Sequence, residues 1–265
     1  MITYQEGPLT VFQSALYQTN SSVIETPDAV ILCDPTWLSE EIETIQTFLA
    51  SRMKEKPLYL IFTHNDFDHI LGAGAFPEAI TIATKEFIDA PEKEAVMRQI
   101  KEFDQQYYVR RNYVMEYPDI KIVVENDEQK LVIGSTTLTF YKAPGHTKDG
   151  LFTVIEPQKI FLAGDYLSDV EFPFIGSGYR EYEQTLKKAA RITKTHAIQI
   201  LIPGHGSVAT ASSEINNRLF SSTDYLNRLE KDNGELEKEL KKTYRFYEGM
   251  KNIHEENLKQ AQKER

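Results

Sequence analysis

The sequence predicts an α/β fold in which a polar, histidine-rich loop directly follows a central strand. Residues 58–62 (Leu-Tyr-Leu-Ile-Phe) form a short apolar run of the kind that makes a buried strand. Residues 39–53 show a helical period before this run, and the polar stretch 63–69 follows it. Open α/β sheets bind ligands at the carboxyl ends of their strands, so a functional site is expected in this loop.

The polar stretch reads Thr-His-Asn-Asp-Phe-Asp-His and concentrates side chains that bind metal ions. His64, Asp66 and Asp68 alternate, which places them on one side of an extended loop, and His69 follows from the turn. Imidazoles and carboxylates are common metal ligands, and a carboxylate is costly to bury without a partner. For this stretch alone, a solvated polar turn is the alternative interpretation.

Three further polar residues stand alone in turns that follow apolar segments, and a glycine precedes each of them. They are His146 after Gly145, Asp165 after Gly164, and His205 after Gly204. Glycine allows the backbone to turn sharply and to bring the next side chain close to an ion. Of the six histidines, only His196 and His254 lie outside such turns. This distribution favours one shared metal site over several unrelated polar turns.

This ordered series resembles the metallo-β-lactamase superfamily, whose central motif HxHxDH is followed by a separate His, Asp and His. The matching residues are His64, Asp66, Asp68 and His69, then His146, Asp165 and His205. The family also carries an early Asp at a strand end that braces the metal loop, and Asp34 matches it. The resemblance spans roughly residues 8–210 and implies a four-layer αββα sandwich.

The resemblance also implies a hydrolase with two divalent metal ions, zinc being the first expectation and iron or manganese the alternatives. One ion would be bound by His64, Asp66 and His146, the other by Asp68, His69 and His205, with Asp165 bridging them. Paired ions generate a bridging hydroxide at neutral pH and polarise a carbonyl or phosphoryl oxygen. Asp68 would also orient the attacking water or accept its proton. The expected substrate is a small ester, thioester, lactone or phosphoester.

Asp66 departs from the family motif and changes the expected charge of the centre. The charges of two divalent ions, the carboxylates of Asp66, Asp68 and Asp165, and one hydroxide sum to zero. The all-histidine motif, with one carboxylate fewer, leaves a net charge of one positive unit. A neutral cluster is a weaker Lewis acid, and oxygen ligands shift the preference from zinc toward iron or manganese. Replacement of a ligand could also leave the protein short of metal, as a non-catalytic binding domain.

Flavodiiron members of the superfamily carry a carboxylate, Glu, at the position of Asp66 and bind iron. They also carry a fused flavodoxin domain, and the residues after His205 give no match to one. A di-iron redox protein acting on oxygen or nitric oxide therefore remains an alternative, and it would need a separate electron donor.

Net charge, apolar runs and cysteine content limit the partners and the location that we expect for this protein. The net charge of −10 argues against nucleic acid, because phosphate backbones require a basic surface. No apolar run is long enough to span a bilayer, and residues 1–6 lack the pattern of a secretion signal. The single cysteine, Cys33, allows no internal disulfide. We therefore expect a cytoplasmic protein with a small-molecule substrate and no membrane partner, with a homodimer left open.

Two segments without metal ligands could face the substrate. Residues 107–117 are aromatic and basic, which fits either a lid or a helix and strand packed on the layer beneath. Residues 166–179 form a long irregular loop attached to Asp165, a typical position for a substrate wall. Tyr166 and Tyr179 in this loop are predicted to hydrogen-bond a substrate oxygen, with a packing role as the alternative.

The C-terminal part is predicted to lie outside the metallo-β-lactamase-like domain, which would span residues 1–228. Residues 229–265 are heavily charged and free of proline, which predicts one long helix that packs locally on the domain. The few apolar residues are too sparse for a sustained coiled coil. We therefore expect a C-terminal helical extension.

Overall fold

A computed structural model describes residues 1–53, 55–229, 231 and 234–264. Within these residues the strands form two sheets. The first sheet has seven strands in the spatial order β1 (Ile2–Glu6), β2 (Leu9–Gln13), β3 (Asn20–Glu25), β4 (Val30–Cys33), β5 (Leu58–Ile61), β6 (Ile80–Thr84) and β7 (Ile122–Val124). The second sheet has five strands in the order β12 (Ile200–Ile202), β11 (Ile160–Leu162), β10 (Leu151–Glu156), β9 (Thr136–Lys142) and β8 (Gln129–Ile133).

Helices cover the outer face of each sheet, and the short helix α2 (Phe67–Ile70) lies in the polar loop. The first sheet is covered by α1 (Ser39–Met53), α3 (Lys85–Asp89) and α4 (Lys93–Tyr107). The second sheet is covered by α5 (Tyr179–Thr195), α6 (Ser212–Leu229), α7 (Glu235–Thr243) and α8 (Tyr247–Lys263). The predicted α/β class and four-layer αββα arrangement are confirmed. No helix of the described residues has the length and apolarity that a membrane span requires.

Strand β4 shows why the central strands are continuously apolar. Val30 and Leu32 pack into the cluster formed with the helices over the first sheet. Ile31 and Cys33 point the other way, into the cluster between the two sheets. Because helices cover one face and the second sheet covers the other, both sets of side chains are buried. The burial of Cys33 follows from this arrangement.

Strand direction brings the polar loops to one edge of the fold. Strands β4, β5 and β6 run parallel in the first sheet, and β11 and β12 run parallel in the second. The carboxyl ends of parallel strands meet at the same edge, which is where ligands bind in such sheets. The loops after β4 and β5 therefore face those after β11 and β12.

Residues 107–117 differ from the predicted helix and strand. Helix α4 includes Tyr107, and residues 108–121 form turns and irregular structure. Packing on the layer beneath does occur, since Tyr113 and Tyr117 contact the apolar cluster under the helices. The segment follows the surface of its sheet without forming a regular element.

The prediction of one long C-terminal helix is wrong in the described residues. Helices α7 and α8 are separated by residues 244–246, where Tyr244 has an extended backbone. The separation allows Tyr244 and Tyr247 to pack on the same ring, that of Phe172, at centroid distances of 5.7 and 6.2 Å. Positions 230, 232, 233 and 265 of the predicted helix lie outside the described residues. The division of the chain at residue 228 stays a prediction.

Candidate metal centre

The two sheets bring all seven predicted metal ligands together at one edge. The first sheet contributes the loop after β5, which contains His64, Asp66, Asp68 and His69. The second sheet contributes His146 after β9, Asp165 after β11 and His205 after β12. Apart from Asp66, whose side chain is 43% exposed, these side chains are at most 10% exposed.

Asp165 lies between two groups of ligands. In the first group, Oδ2 of Asp66 is 3.3 Å from Nε2 of His146 and 3.6 Å from Nε2 of His64. Oδ2 of Asp165 is 3.3 Å from the same His146 nitrogen and 3.2 Å from Nε2 of His205, which belongs to the second group. Asp165 can therefore serve both groups.

The second group has a similar spacing. Oδ2 of Asp68 is 3.5 Å from Nε2 of His69 and 3.4 Å from Nε2 of His205. The other oxygen of Asp165, Oδ1, lies 3.2 Å from Nε2 of His69. Each group thus consists of two imidazole nitrogens and one carboxylate, with Asp165 shared between them.

Hydrogen bonds at the outer nitrogens orient all four imidazoles in the same way. Nδ1 of His146 and Nδ1 of His205 lie 3.0 and 2.9 Å from the carbonyl oxygens of Phe174 and Tyr17, and these can only accept. The partners of the other two rings are the hydroxyl of Thr63, 3.0 Å from Nδ1 of His64, and Asp34, 2.9 Å from Nδ1 of His69. With the proton on Nδ1, each Nε2 presents a lone pair to the centre.

The polar atoms inside the centre are arranged as metal ligands would be. Nε2 of His64, His69 and His146 and Oδ1 of Asp165 are buried and have no hydrogen-bond partner in the described part of the chain. The nitrogen–oxygen distances of 3.2–3.7 Å exceed the roughly 2.7–2.9 Å of a charge-assisted hydrogen bond. Two ligands each about 2.1 Å from a tetrahedral ion lie about 3.4 Å apart. The donors are therefore spaced for ions between them.

Asp34, which was predicted to brace the metal loop, hydrogen-bonds to Thr63 and His69. Its Oδ1 accepts a hydrogen bond from the backbone N–H of Thr63, and its Oδ2 accepts one from the Thr63 hydroxyl at 2.6 Å. The same Oδ2 accepts the bond from His69. One buried carboxylate thus connects the end of β4 to the residue before His64 and to His69. In metal sites, residues that hydrogen-bond to a ligand without contacting the ion fix the orientation of that ligand.

Gly204 lets the loop after β12 pass close to Asp165 and His69. A Cβ atom added to Gly204 would lie 2.1 Å from Oδ1 of Asp165 and 3.0 Å from Cε1 of His69. Gly145, before His146, has a φ of +126°, and a Cβ atom there would lie 2.4 Å from the backbone of Tyr182. At both positions any other residue would displace a metal ligand or its loop.

The loop between β2 and β3 was not predicted to take part in the site, yet it holds His205. Tyr17 and Gln18 have φ angles of 54° and 53°, which residues other than glycine rarely adopt. The Tyr17 carbonyl accepts the hydrogen bond from His205, and the Gln18 carbonyl accepts one from the N–H of Gly206 at 3.0 Å. The unusual backbone therefore aims two carbonyl groups at the loop that carries the ligand.

Thr19 and Trp37 are further participants that the sequence reasoning missed. The indole N–H of Trp37 donates to Oγ1 of Thr19 at 2.7 Å. The Thr19 hydroxyl in turn lies 3.3 Å from Oδ2 of Asp68 and donates to it. A threonine beside a strand carries no sequence signal for this role, because the partners lie far apart in the chain. The pair orients the carboxylate predicted to handle the proton of the attacking water.

Glu171 adds a carboxylate that the sequence reasoning did not single out. Its side chain is 16% exposed, and Oε1 lies 4.0 Å from Nδ1 of His205. Burial raises the pKa of Glu171 to about 7, and the neighbouring charges of Asp165 and Asp68 act in the same direction. Glu171, Asp165 and His205 form one more group of potential metal ligands. Its place in the irregular loop after Asp165 was the available signal.

Tyr166 and Tyr179, the predicted substrate contacts, occupy positions that fit the alternative, a packing role. Both side chains are 3% exposed. The Tyr166 hydroxyl accepts from the N–H of His146 at 3.0 Å and donates to the Pro144 carbonyl at 2.8 Å. The Tyr179 hydroxyl donates to the carbonyl of Leu226 at 2.9 Å. Both rings point inward, so they stabilise the loop rather than line a cleft open to substrate.

Two clefts open beside the centre, and α8 lines both. One, of about 410 Å³, is lined by Asp66, His146 and Lys148, together with Ile253 of α8. The other, of about 610 Å³, lies on the Glu171 side. Its lining includes Tyr17, Arg245 and Met250. A separate cleft of about 590 Å³ between residues 73–81 and 112–121 contains none of the seven ligands.

A family model described as the metallo-beta-lactamase superfamily matches residues 15–240, and the chain belongs to this superfamily. A curated relative, the metallo-beta-lactamase type 2 of Bacillus sp. (strain 170), is 21% identical over 203 residues, which cover 76% of this chain and 71% of the relative. Superfamily membership and the His/Asp groups together indicate an enzyme with a divalent-metal centre.

Two solved structures show the range of proteins that share the fold. The stereoselective inverting sec-alkylsulfatase Pisa1 from Pseudomonas sp. superposes with a TM-score of 0.69 at 13% identity, covering 86% of this chain and 41% of that one. The rubredoxin oxygen:oxidoreductase of the anaerobe Desulfovibrio gigas superposes with a TM-score of 0.57 at 14% identity, covering 86% and 62%. This chain thus spans about two fifths of the sulfatase. At these identities the likeness is one of fold.

Proposed function

We propose that this protein is a dinuclear metal-dependent hydrolase of a small ester, thioester, lactone or phosphoester. His64, Asp66 and His146 would hold one ion, Asp68, His69 and His205 would hold the other, and Asp165 would contact both. The observation that carries the proposal is the convergence of four Nε2 atoms and three carboxylates in one centre. Of these atoms, Nε2 of His64, His69 and His146 and Oδ1 of Asp165 are buried without a hydrogen-bond partner in the described residues. Without metal ions, the negative charge of the carboxylates in such a cluster can be compensated only by protons on the histidines.

The chain's own residues set the conditions for hydrolysis. When bound, two divalent ions supply Lewis acidity and lower the pKa of a water molecule. Asp68 is oriented by Thr19 and lies beside both ligand histidines of its group, where it can orient the attacking water or accept its proton. Asp66 is the most exposed ligand, so substrate reaches the centre from its side.

The cleft beside Asp66 suits a small substrate. Its volume of about 410 Å³ lies within the range of roughly 300–1,000 Å³ typical of small-molecule sites. Lys148 contributes a cation to the wall, and it forms no ion pair with another described residue. Relatives named as a metallo-beta-lactamase and as a sec-alkylsulfatase support a hydrolytic reaction and leave the substrate open.

The proposal is tested by metal content and turnover together. Protein purified without added metal is analysed for zinc, manganese and iron, then assayed with a generic thioester, lactone and phosphodiester. We expect two equivalents of metal and turnover of at least one ester-type substrate, and about one equivalent with no turnover in His146→Ala. His196→Ala is the matched control, because His196 bonds to Tyr141 away from the centre. Two bound ions without hydrolysis of any ester would contradict the hydrolase.

A di-iron redox protein is the second candidate. The carboxylate at position 66 favours iron over zinc, and the fold is shared with an oxygen oxidoreductase. Two equivalents of iron, reaction with oxygen or nitric oxide, and no hydrolysis would establish this alternative. One equivalent of metal or none would instead indicate a non-catalytic domain in which Asp66 has disabled the site.

A further inference from the structure

The orientation of His146 depends on a loop with no regular secondary structure. Nδ1 of His146 donates to the carbonyl oxygen of Phe174 at 3.0 Å. Phe174 lies in the irregular segment between β11 and α5. A carbonyl in such a segment can hold a ligand ring in place only if other contacts fix the peptide groups around it. After Phe174, the N–H of Gly176 bonds to the carbonyls of Gly145 and His146 at 3.1 and 3.0 Å. The contacts to the peptide groups directly beside Phe174 come from the C-terminal helix.

Asn257 of α8 binds the peptide groups on both sides of Phe174. Its Oδ1 accepts a hydrogen bond from the N–H of Ile175 at 2.9 Å. Its Nδ2 donates to the carbonyl of Pro173 at 2.6 Å and to the hydroxyl of Tyr225 at 2.8 Å. Asn257 is completely buried, so water does not compete for these bonds. The carboxamide therefore fixes the direction of the Phe174 carbonyl.

Aromatic packing anchors the same loop to the helices of the second layer. The ring of Phe172 stacks on Tyr225 of α6 at a centroid distance of 5.2 Å. It also contacts Tyr247 and His254 of α8 at 6.2 and 6.0 Å. The packing positions the loop as a whole, whereas the bonds from Asn257 set the peptide orientation next to His146.

We propose that Asn257 is a positioning residue for the metal centre, through which α8 controls the affinity of the ion bound by His64, Asp66 and His146. This inference rests on the proposed dinuclear centre. The second ion is independent of α8 in this respect, because Nδ1 of His205 is held by the Tyr17 carbonyl from the opposite end of the chain. Removal of the Asn257 carboxamide should therefore weaken one ion and spare the other.

The test is a cobalt(II) titration of metal-free protein, followed by visible absorption and calorimetry. We expect two equivalents in the wild type. Asn257→Ala should lower the cobalt affinity of one of the two sites about 10- to 100-fold. This is the usual effect of removing a group that supports a metal ligand without contacting the ion. Met250→Ala is the matched control, because Met250 packs in the same apolar cluster on the same helix. It should reduce thermal stability without changing cobalt affinity.

Variants that retain a single group of ligands identify the affected ion. In a His205→Ala background, which retains the group containing His146, Asn257→Ala should weaken the remaining ion. In a His146→Ala background it should have no further effect. Asn257→Gln keeps both the acceptor and the donor but places them one methylene further from the backbone, so we expect a smaller loss. This variant provides the same test if Asn257→Ala does not fold.

The outcomes separate the two proposals. Fewer than two equivalents in the wild type would contradict the dinuclear function itself. Two equivalents in the wild type with unchanged affinity in both Asn257 variants would overturn the positioning role alone. An equal loss of affinity in Met250→Ala would also overturn it, since general loosening of α8 would then account for the effect.

Discussion

The carboxylate of Asp34 accepts a hydrogen bond from Nδ1 of His69 at 2.9 Å, and this contact joins the end of a central strand to the metal centre. Asp34 is 2% exposed and His69 is completely buried, so the bond is shielded from water. Since Asp34 only accepts when ionised, it fixes the proton of His69 on Nδ1 and turns Nε2 toward the ions.

Asp34→Asn should weaken metal binding, although the side chain keeps nearly the same shape. The carboxylate accepts three hydrogen bonds, from the Thr63 N–H, the Thr63 hydroxyl and His69, and an amide must present N–H donors on one side. We expect metal affinity to fall about 10- to 100-fold in competition with a chromogenic chelator. The free energy of unfolding should fall by about 1–3 kcal/mol.

Asp119→Asn serves as the control for this change, because the Asp119 side chain is 80% exposed and its one ion pair among the described residues is with Lys121. Asp119→Asn should leave metal affinity and the free energy of unfolding unchanged. Wild-type metal affinity in Asp34→Asn would show that the brace does not orient His69.

Asp66→His restores the all-histidine motif and tests the charge argument. Replacing one carboxylate by a neutral ring leaves the two-ion cluster with one more positive charge, which makes it a stronger Lewis acid. We expect higher zinc affinity and faster ester hydrolysis, measured with zinc-loaded protein. Asp66→Glu keeps the charge and should change neither by much. Zinc affinity and hydrolysis that are unchanged or lower in Asp66→His would refute the argument.

Metal-free protein should lose stability as the pH rises from about 6.5 to 10. Burial alone would lower the pKa of His205, but the charges of Asp165 and Glu171 outweigh it and raise the pKa to about 10. A pKa raised by folding stabilises the protein fully below the unfolded value of about 6.5. That contribution is lost as the pH passes through the folded value.

Metal ions replace these protons, so binding should release protons at pH 7.5 and affinity should increase with pH over the same window. Calorimetry in buffers of different ionisation enthalpy counts the protons released, and denaturant titrations from pH 6 to 10 follow the stability. Binding without proton release at pH 7.5 would show that the histidines are already neutral in the metal-free state.

Glu171→Gln should stabilise metal-free protein at pH 8 and have no effect below pH 4.5. Burial raises the pKa of Glu171 to about 7, so the folded state favours its protonated form. The associated stability is present below the unfolded pKa of about 4.5 and is lost as the pH rises through 7. At pH 8 the gain in the free energy of unfolding is on the order of 3 kcal/mol at most.

Urea unfolding of metal-free protein at the two pH values measures this gain. Glu248→Gln provides the control, since Glu248 is exposed and lines the same cleft as Glu171. An equal gain in both variants would show that reduced net charge, rather than the burial of Glu171, is responsible.

The ligand positions could be predicted because their signals are local. His64, Asp66, Asp68 and His69 lie within one loop, and Gly145, Gly164 and Gly204 mark the other turns directly before a ligand. The central strands were predictable for a similar reason, since a strand buried on both faces leaves a continuous apolar run. Short-range pattern was sufficient for these features.

Features that depend on distant parts of the chain were not predictable. The phenol of Tyr166 turns inward because the N–H of His146 and the Pro144 carbonyl lie beneath it. The roles of Thr19 and Asn257 depend on partners 49 and 82 residues away. The break between α7 and α8 follows from packing on Phe172, which charge pattern and lack of proline do not reveal.

The most direct test of the central claim is the metal content of protein purified without added metal, measured by elemental analysis beside the His146→Ala and His205→Ala variants. The two-group geometry predicts two equivalents in the wild type and about one in each variant, since each group keeps its own histidines. One equivalent or none in the wild type would contradict a dinuclear centre.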